Sequence, residues 1–146
     1  MGQLISPLPP DQSKEDVPPT NLPRRRGVGL IRSFYFAFVG LGYLFRTQRN
    51  ARIELALGVL ACGFGWWLRI SRVEWAIIAF TIALVLILEG LNTAVEAAVD
   101  LSSPNYHPLA KAAKDLAAAM VLIASLASLA VGLLILGPPL WGKLFG

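Results

Sequence analysis

The sequence predicts an all-α integral membrane protein: three transmembrane helices plus an N-terminal amphipathic surface helix. Three observations lead there. Of 146 residues, 55% are hydrophobic and 15% charged, against roughly 25% charged in an ordinary soluble domain. The charges gather in the first third and in short polar breaks. Between those breaks stand three apolar blocks, Leu55 to Leu68, Trp75 to Leu88 and Leu116 to Leu136. A helix crossing a ~30 Å hydrocarbon core needs about 20 residues.

Taken in order, residues 1–26 hold most of the prolines among scattered Asp, Gln, Ser, Lys and Glu, without apolar periodicity. They read as a disordered, Pro-rich, basic cytoplasmic tail. Arg24-Arg25-Arg26 lacks the small-residue site of a cleaved export signal. Residues 27–146 form one membrane domain. Within it, Ile31, Phe34, Phe38, Leu41 and Phe45 recur every three or four residues between basic flanks, which predicts a surface helix over about 28–47; a fourth span is the competing reading, disfavoured by Ser33, Tyr35, Gly40, Gly42 and Tyr43.

The first span, about 51–69, is short in apolar residues, but Arg52 and Arg69 reach toward headgroups and Trp66 and Trp67 suit the interfacial belt. Ser71 and Glu74 have capping-box spacing and open the second span, about 73–100. Ser102 to His107 is a turn, and Pro108 suits the first position of the third span, about 109–136. In that span Ala124, Ser128 and Gly132 form a small-residue stripe that permits close approach of another helix. Three spans make a thin bundle, so oligomerisation is expected.

Lys14, Arg24, Arg25, Arg26, Arg32, Arg46, Arg49 and Arg52 precede the first apolar block, whereas the next break carries Arg69 and Arg72. The positive-inside rule then places the N-terminus in the cytoplasm, and the formal net charge of +4 needs no nucleic acid to explain it. Cys62 is the only cysteine, so no intramolecular disulfide and no thiol-rich metal site is expected.

The second span is interrupted by polar residues in a pattern. Glu89, Asn92, Glu96 and Asp100 follow at spacings of three, four and four, which at ~100° per residue puts them on one stripe. A carboxylate at this depth is costly unless used or paired. The third helix opens with Lys111, Lys114 and Asp115 at the same membrane face. Carboxylates that hold Mg²⁺, a lysine that meets phosphate oxygens and a carboxylate that takes a hydroxyl proton are the parts of phosphoryl transfer. No G-x-x-x-x-G-K-(S/T) and no G-x-G-x-x-G loop occurs, which excludes P-loop and protein-kinase-like enzymes.

Three segments carry a resemblance: Arg49-Asn50-Ala51-Arg52-Ile53, the block E-x-x-N-(S/T)-A-x-E-x-x-x-D from Glu89 to Asp100, and Tyr106-His107-Pro108-Leu109-Ala110-Lys111 on to Lys114-Asp115. Together they resemble the prokaryotic diacylglycerol kinase and undecaprenol kinase family over roughly residues 30 to 136. The resemblance implies a membrane lipid kinase of the bacterial plasma membrane. It implies a homotrimer with active sites shared between neighbouring chains, and MgATP as donor. Carried over by position, Glu89 is the catalytic base, Asn92 lies near the transferred phosphate, and Glu96 is a metal ligand. Lys114, Asp115, Tyr106 and His107 belong to the nucleotide site.

One departure bears on the metal. Where many relatives carry a second metal-binding glutamate, this chain has Gln48, whose neutral amide is a weaker Mg²⁺ ligand; Glu54 or water is the alternative. The acceptor stays open between diacylglycerol, giving phosphatidic acid, and undecaprenol, giving undecaprenyl phosphate. Two other classes also stay open: a non-catalytic or cation-binding oligomer built on Glu89 and Glu96, and an anchoring subunit whose tail recruits a soluble partner.

Overall fold

In hydrocarbon an unpaired backbone N–H or C=O costs several kcal/mol, so apolar runs become helices and the polar breaks become their ends. The computed structural model describes residues 29–146; the expected tail lies outside the described residues. Four α-helices follow in order: α1 (Leu30–Thr47), α2 (Arg49–Leu68), α3 (Arg72–Ser102) and α4 (Pro108–Phe145). α2, α3 and α4 are each long and apolar enough to cross a membrane. α3 and α4 pack most extensively, α2 lies against both, and α1 rests chiefly on α2.

A single residue separates α1 from α2. Gln48 is extended, at φ −99° and ψ 114°, so one helix ends and the next begins there, and its N–H donates to Leu44 O at 2.8 Å. Leu44 is the buried residue of α1 and Phe45 is half-buried; most of the remaining apolar surface, Phe34, Phe38 and Leu41 included, is exposed. That is the surface a helix lying in a membrane interface would offer to lipid.

α2 turns into α3 through a tight C-cap. Arg69 is left-handed, with φ 57° and ψ 47°. The Ile70 N–H donates to Gly65 O and the Arg69 N–H to Trp66 O, the paired bonds of a Schellman motif. Ile70 then folds back so closely that a Cβ on Gly65 would meet Ile70 Cδ1 at 2.9 Å. A larger residue at Gly65 would displace the tip of the Ile70 side chain. Ser71 and Glu74 then close a reciprocal capping box, Ser71 N–H to Glu74 Oε2 at 2.6 Å and Glu74 N–H to Ser71 Oγ at 3.3 Å, as their spacing predicts.

The buried face of α2 is Ala51, Gly58 and Gly65, a small residue every seventh position. Small residues bring backbones together where hydrophobic burial gives no drive between helices, and Ile82 of α3 fills the space beside Gly58. α3 buries Ile78, Val85 and Glu89, and α4 buries Val121 and Ala124.

α4 differs from the expected span in length. It does not stop at Leu136 but continues through Pro138 and Pro139 to Phe145. The prolines remove two backbone donors, yet Gly137 lacks the Cβ that Pro138 would crowd. The far end is held from outside the helix. Lys143 Nζ donates to Trp67 O at 3.0 Å and sits 4.5 Å from the centre of the Trp67 ring. A cation thus meets one of the carbonyls left open at the end of α2.

Candidate active site

The predicted acidic stripe lies on the half of α3 nearest the α3–α4 loop, and exposure rises along it. Glu89 is 2% exposed, the one buried charged or polar side chain among the described residues. Asn92 and Glu96 are half-buried, and Asp100 is exposed. Glu89 stands seventeen residues beyond Arg72, about 26 Å along the axis at ~1.5 Å per residue, near the opposite edge of a ~30 Å hydrocarbon core.

Hydrogen bonds fix the stripe. Asn92 Nδ2 donates to Glu96 Oε1 at 3.2 Å, while Asn92 Oδ1 is buried without a partner. Thr93 Oγ1 donates to Glu89 O at 2.9 Å.

α4 brings its cations to the same end of the bundle. Lys114 Nζ bonds Asp100 Oδ1 at 2.5 Å, so the last residue of the stripe is tied across the loop. Asp115 pairs with Lys111 one turn away instead of with Lys114. Lys114 and Asp115 therefore belong to two separate ion pairs. Tyr106 is exposed in the loop, and His107 caps α4 by accepting the Leu109 N–H on Nδ1 at 3.2 Å.

Gln48 and Glu54, the two candidates for a further metal ligand, are placed differently. Gln48 is the joint between α1 and α2. Glu54 faces α4, where Ser125 Oγ donates to its Oε1 at 3.2 Å, and its Oε2 is buried and unpaired. The Glu54–Ser125 contact is the part of the site that sequence reasoning missed. The signal was there, a hydroxyl in mid-span opposite a carboxylate, but nothing in either helix alone gives their register.

A hard cation fits part of this donor set. Glu96 offers a carboxylate and Asn92 an unpartnered amide oxygen, the ligand type Mg²⁺ takes while keeping several waters and substrate phosphate oxygens. Among the described residues, no three His, Cys, Asp or Glu side chains are grouped to hold an ion unaided.

Comparison with known proteins bears on what this arrangement does. The prokaryotic diacylglycerol kinase family matches residues 35–136. A diacylglycerol kinase from Synechocystis sp. is 46% identical over 112 residues, 76% of this chain and 64% of that protein. An undecaprenol kinase from Bacillus subtilis is 44% identical over 111 residues, 75% of this chain and 89% of that protein. The chain belongs to the prokaryotic diacylglycerol kinase family. The diacylglycerol kinase of Escherichia coli strain K12 is 33% identical over 95 residues, 65% of this chain and 78% of its own.

Membership in the diacylglycerol kinase family supports lipid kinase activity, hence phosphoryl transfer at a membrane. The matched segment contains Gln48, Glu54, the whole stripe from Glu89 to Asp100, the loop, Lys114, Asp115 and Ser125. It ends at Leu136, before the proline-bearing extension of α4.

Proposed function

We propose that this chain transfers the terminal phosphoryl group of ATP to the hydroxyl of a membrane lipid alcohol, diacylglycerol or undecaprenol. The observation that carries the reading is Glu89: a carboxylate buried in a membrane helix, one turn from Asn92 and two from Glu96, at the end of the bundle where Lys114 gathers. Family kinship supports the same chemistry.

In this reading Glu89 accepts the proton of the lipid hydroxyl as its oxygen attacks the terminal phosphorus. The new bond is lipid oxygen to phosphorus, and the bond that breaks joins that phosphorus to the oxygen retained by ADP. Lipid phosphate and ADP leave, and the proton passes from Glu89 to water. Asn92 orients the group in transfer. Glu96, with Asn92 Oδ1, would hold Mg²⁺; when bound, the ion neutralises charge on the phosphate oxygens. Lys114 meets phosphate oxygens on leaving Asp100, and Asp115, Tyr106 and His107 border the nucleotide. Gln48 lies at the margin as a weaker oxygen donor.

The reading includes a homotrimer with sites shared between chains, supported by how little apolar surface one chain buries on itself. It also puts the N-terminus and the site in the cytoplasm of a bacterium, where ATP is, in keeping with the arginines before α2.

The test is product identification. Purified protein in mixed micelles, given ATP labelled in the terminal phosphate and either lipid, should yield labelled lipid phosphate and ADP in equal amounts. Cation flux through reconstituted protein without any ATP turnover would overturn the reading.

A further inference from the structure

All four tryptophans of the chain stand at the end of the bundle away from the acidic stripe. Trp66 and Trp67 close α2, Trp75 lies in the first turn of α3, and Trp141 lies near the end of α4. The contact of Lys143 with Trp67 brings the ends of α4 and α2 to one level. Tryptophan concentrates at headgroup depth, so these rings mark the second membrane interface.

Cations gather with the rings. Arg69 opens the short break between α2 and α3, Arg72 ends it, and both are exposed. Among the described residues the two ion pairs, Lys111 with Asp115 and Lys114 with Asp100, both lie at the other end of the bundle. The nearest acid in sequence, Glu74, is turned into its capping box, where Oε2 accepts the Ser71 N–H. With the N-terminus in the cytoplasm this is the outer face, on which lysine and arginine are ordinarily scarcer. Two unpaired arginines there call for a counter-charge from outside the chain.

The backbone singles out one of them. Arg69 holds the left-handed C-cap of α2, a place glycine usually takes in a Schellman motif. A side chain kept at a strained position points to a use for it. Arg69 lines a hollow with Gly65, Trp66 and Trp75. A guanidinium offers a fork of N–H donors that matches phosphate oxygens, and each indole adds an N–H donor. Trp66 is 82% exposed, an apolar surface for an acyl chain beside the charge.

We propose that this hollow binds the phosphate of an anionic phospholipid in the leaflet opposite the catalytic site, with Arg69 as the main contact and Arg72 supporting it. A lipid is the occupant because the hollow opens at headgroup depth, where phosphodiesters outnumber any soluble anion. The bound lipid holds the α2–α3 turn to the bilayer surface. The inference stands apart from the kinase chemistry at the other end.

The tryptophans supply the readout. The full chain is placed in phosphatidylcholine nanodiscs containing brominated phosphatidylglycerol or brominated phosphatidylcholine, and quenching of its fluorescence is compared. Half-quenching should need a several-fold lower mole fraction of the anionic lipid. Arg69→Gly with Arg72→Gln should bring the two curves together, whereas Lys111→Ala, which removes a cation at the opposite end, should leave them apart. In neutral micelles, added phosphatidylglycerol should raise the unfolding temperature of the unaltered protein and not that of the double variant. Equal quenching by the two lipids, a difference that survives the double variant, or a difference lost equally in Lys111→Ala overturns the proposal. So does loss of the difference on adding millimolar inorganic phosphate at fixed ionic strength, which would assign the hollow to a free anion. Oligomer dissociation by the double variant would assign it to a second copy and overturn the proposal as well.

Discussion

Glu89 differs from the other residues of its stripe in being enclosed. A positioned general base typically contributes 10²–10⁴-fold to rate, so Glu89→Gln should lower kcat by about that factor in a protein that still folds, measured by steady-state kinetics in micelles. Glu96→Gln should raise the Mg²⁺ needed for half-maximal activity by roughly tenfold or more, read from a Mg²⁺ titration at fixed ATP. Asp100→Asn is the contrast. Asp100 is 67% exposed in its pair with Lys114, and such surface pairs contribute about 0–1 kcal/mol, so thermal stability should hardly move. The stripe was legible in the sequence because 3-4-4 spacing is a property of one helix. Which of its members are buried was not, because burial of Glu89 comes from the neighbouring helices. The partner of Lys114 was hidden for the same reason: the loop geometry decides that Lys114 reaches Asp100.

At the scale of elements, the joints are specified by local chemistry. The Ser71–Glu74 box was legible because capping needs only a four-residue pattern; Ser71→Ala should cost about 0.5–2 kcal/mol, read as a drop in unfolding temperature. Arg69 is a non-glycine residue in the left-handed region, where an L side chain costs roughly 1–2 kcal/mol. Arg69→Gly should therefore raise the unfolding temperature in the same assay. The extension of α4 was not legible. Pro138 and Pro139 disfavour a helix interior, and the grip of Lys143 on Trp67, seventy-six positions away, helps tie the continued helix to the bundle. The stripe of Ala124, Ser128 and Gly132 was visible as a periodicity, but that Ala124 is buried while a Cβ on Gly132 would meet nothing within 4 Å follows from the neighbouring helices.

For the whole molecule, the spans and their order followed from hydropathy because the bilayer imposes length and composition. What a single chain leaves open is its outer surface: many large apolar side chains on α2, α3 and α4 remain exposed. Lipid covers part of that surface, and the proposed trimer covers the rest. If sites are shared between chains, oligomers mixed from two inactive variants, Glu89→Gln and Lys114→Ala, should recover activity that neither shows alone. The most direct measurement for the molecule as a catalyst is the turnover of Glu89→Gln beside the unaltered protein, with ATP, Mg²⁺ and a lipid alcohol all saturating. Lipid phosphate formed by the unaltered protein and nearly lost in the variant, with both KM values close to unchanged, is the predicted result. Equal turnover in the two would contradict a catalytic role for the buried carboxylate.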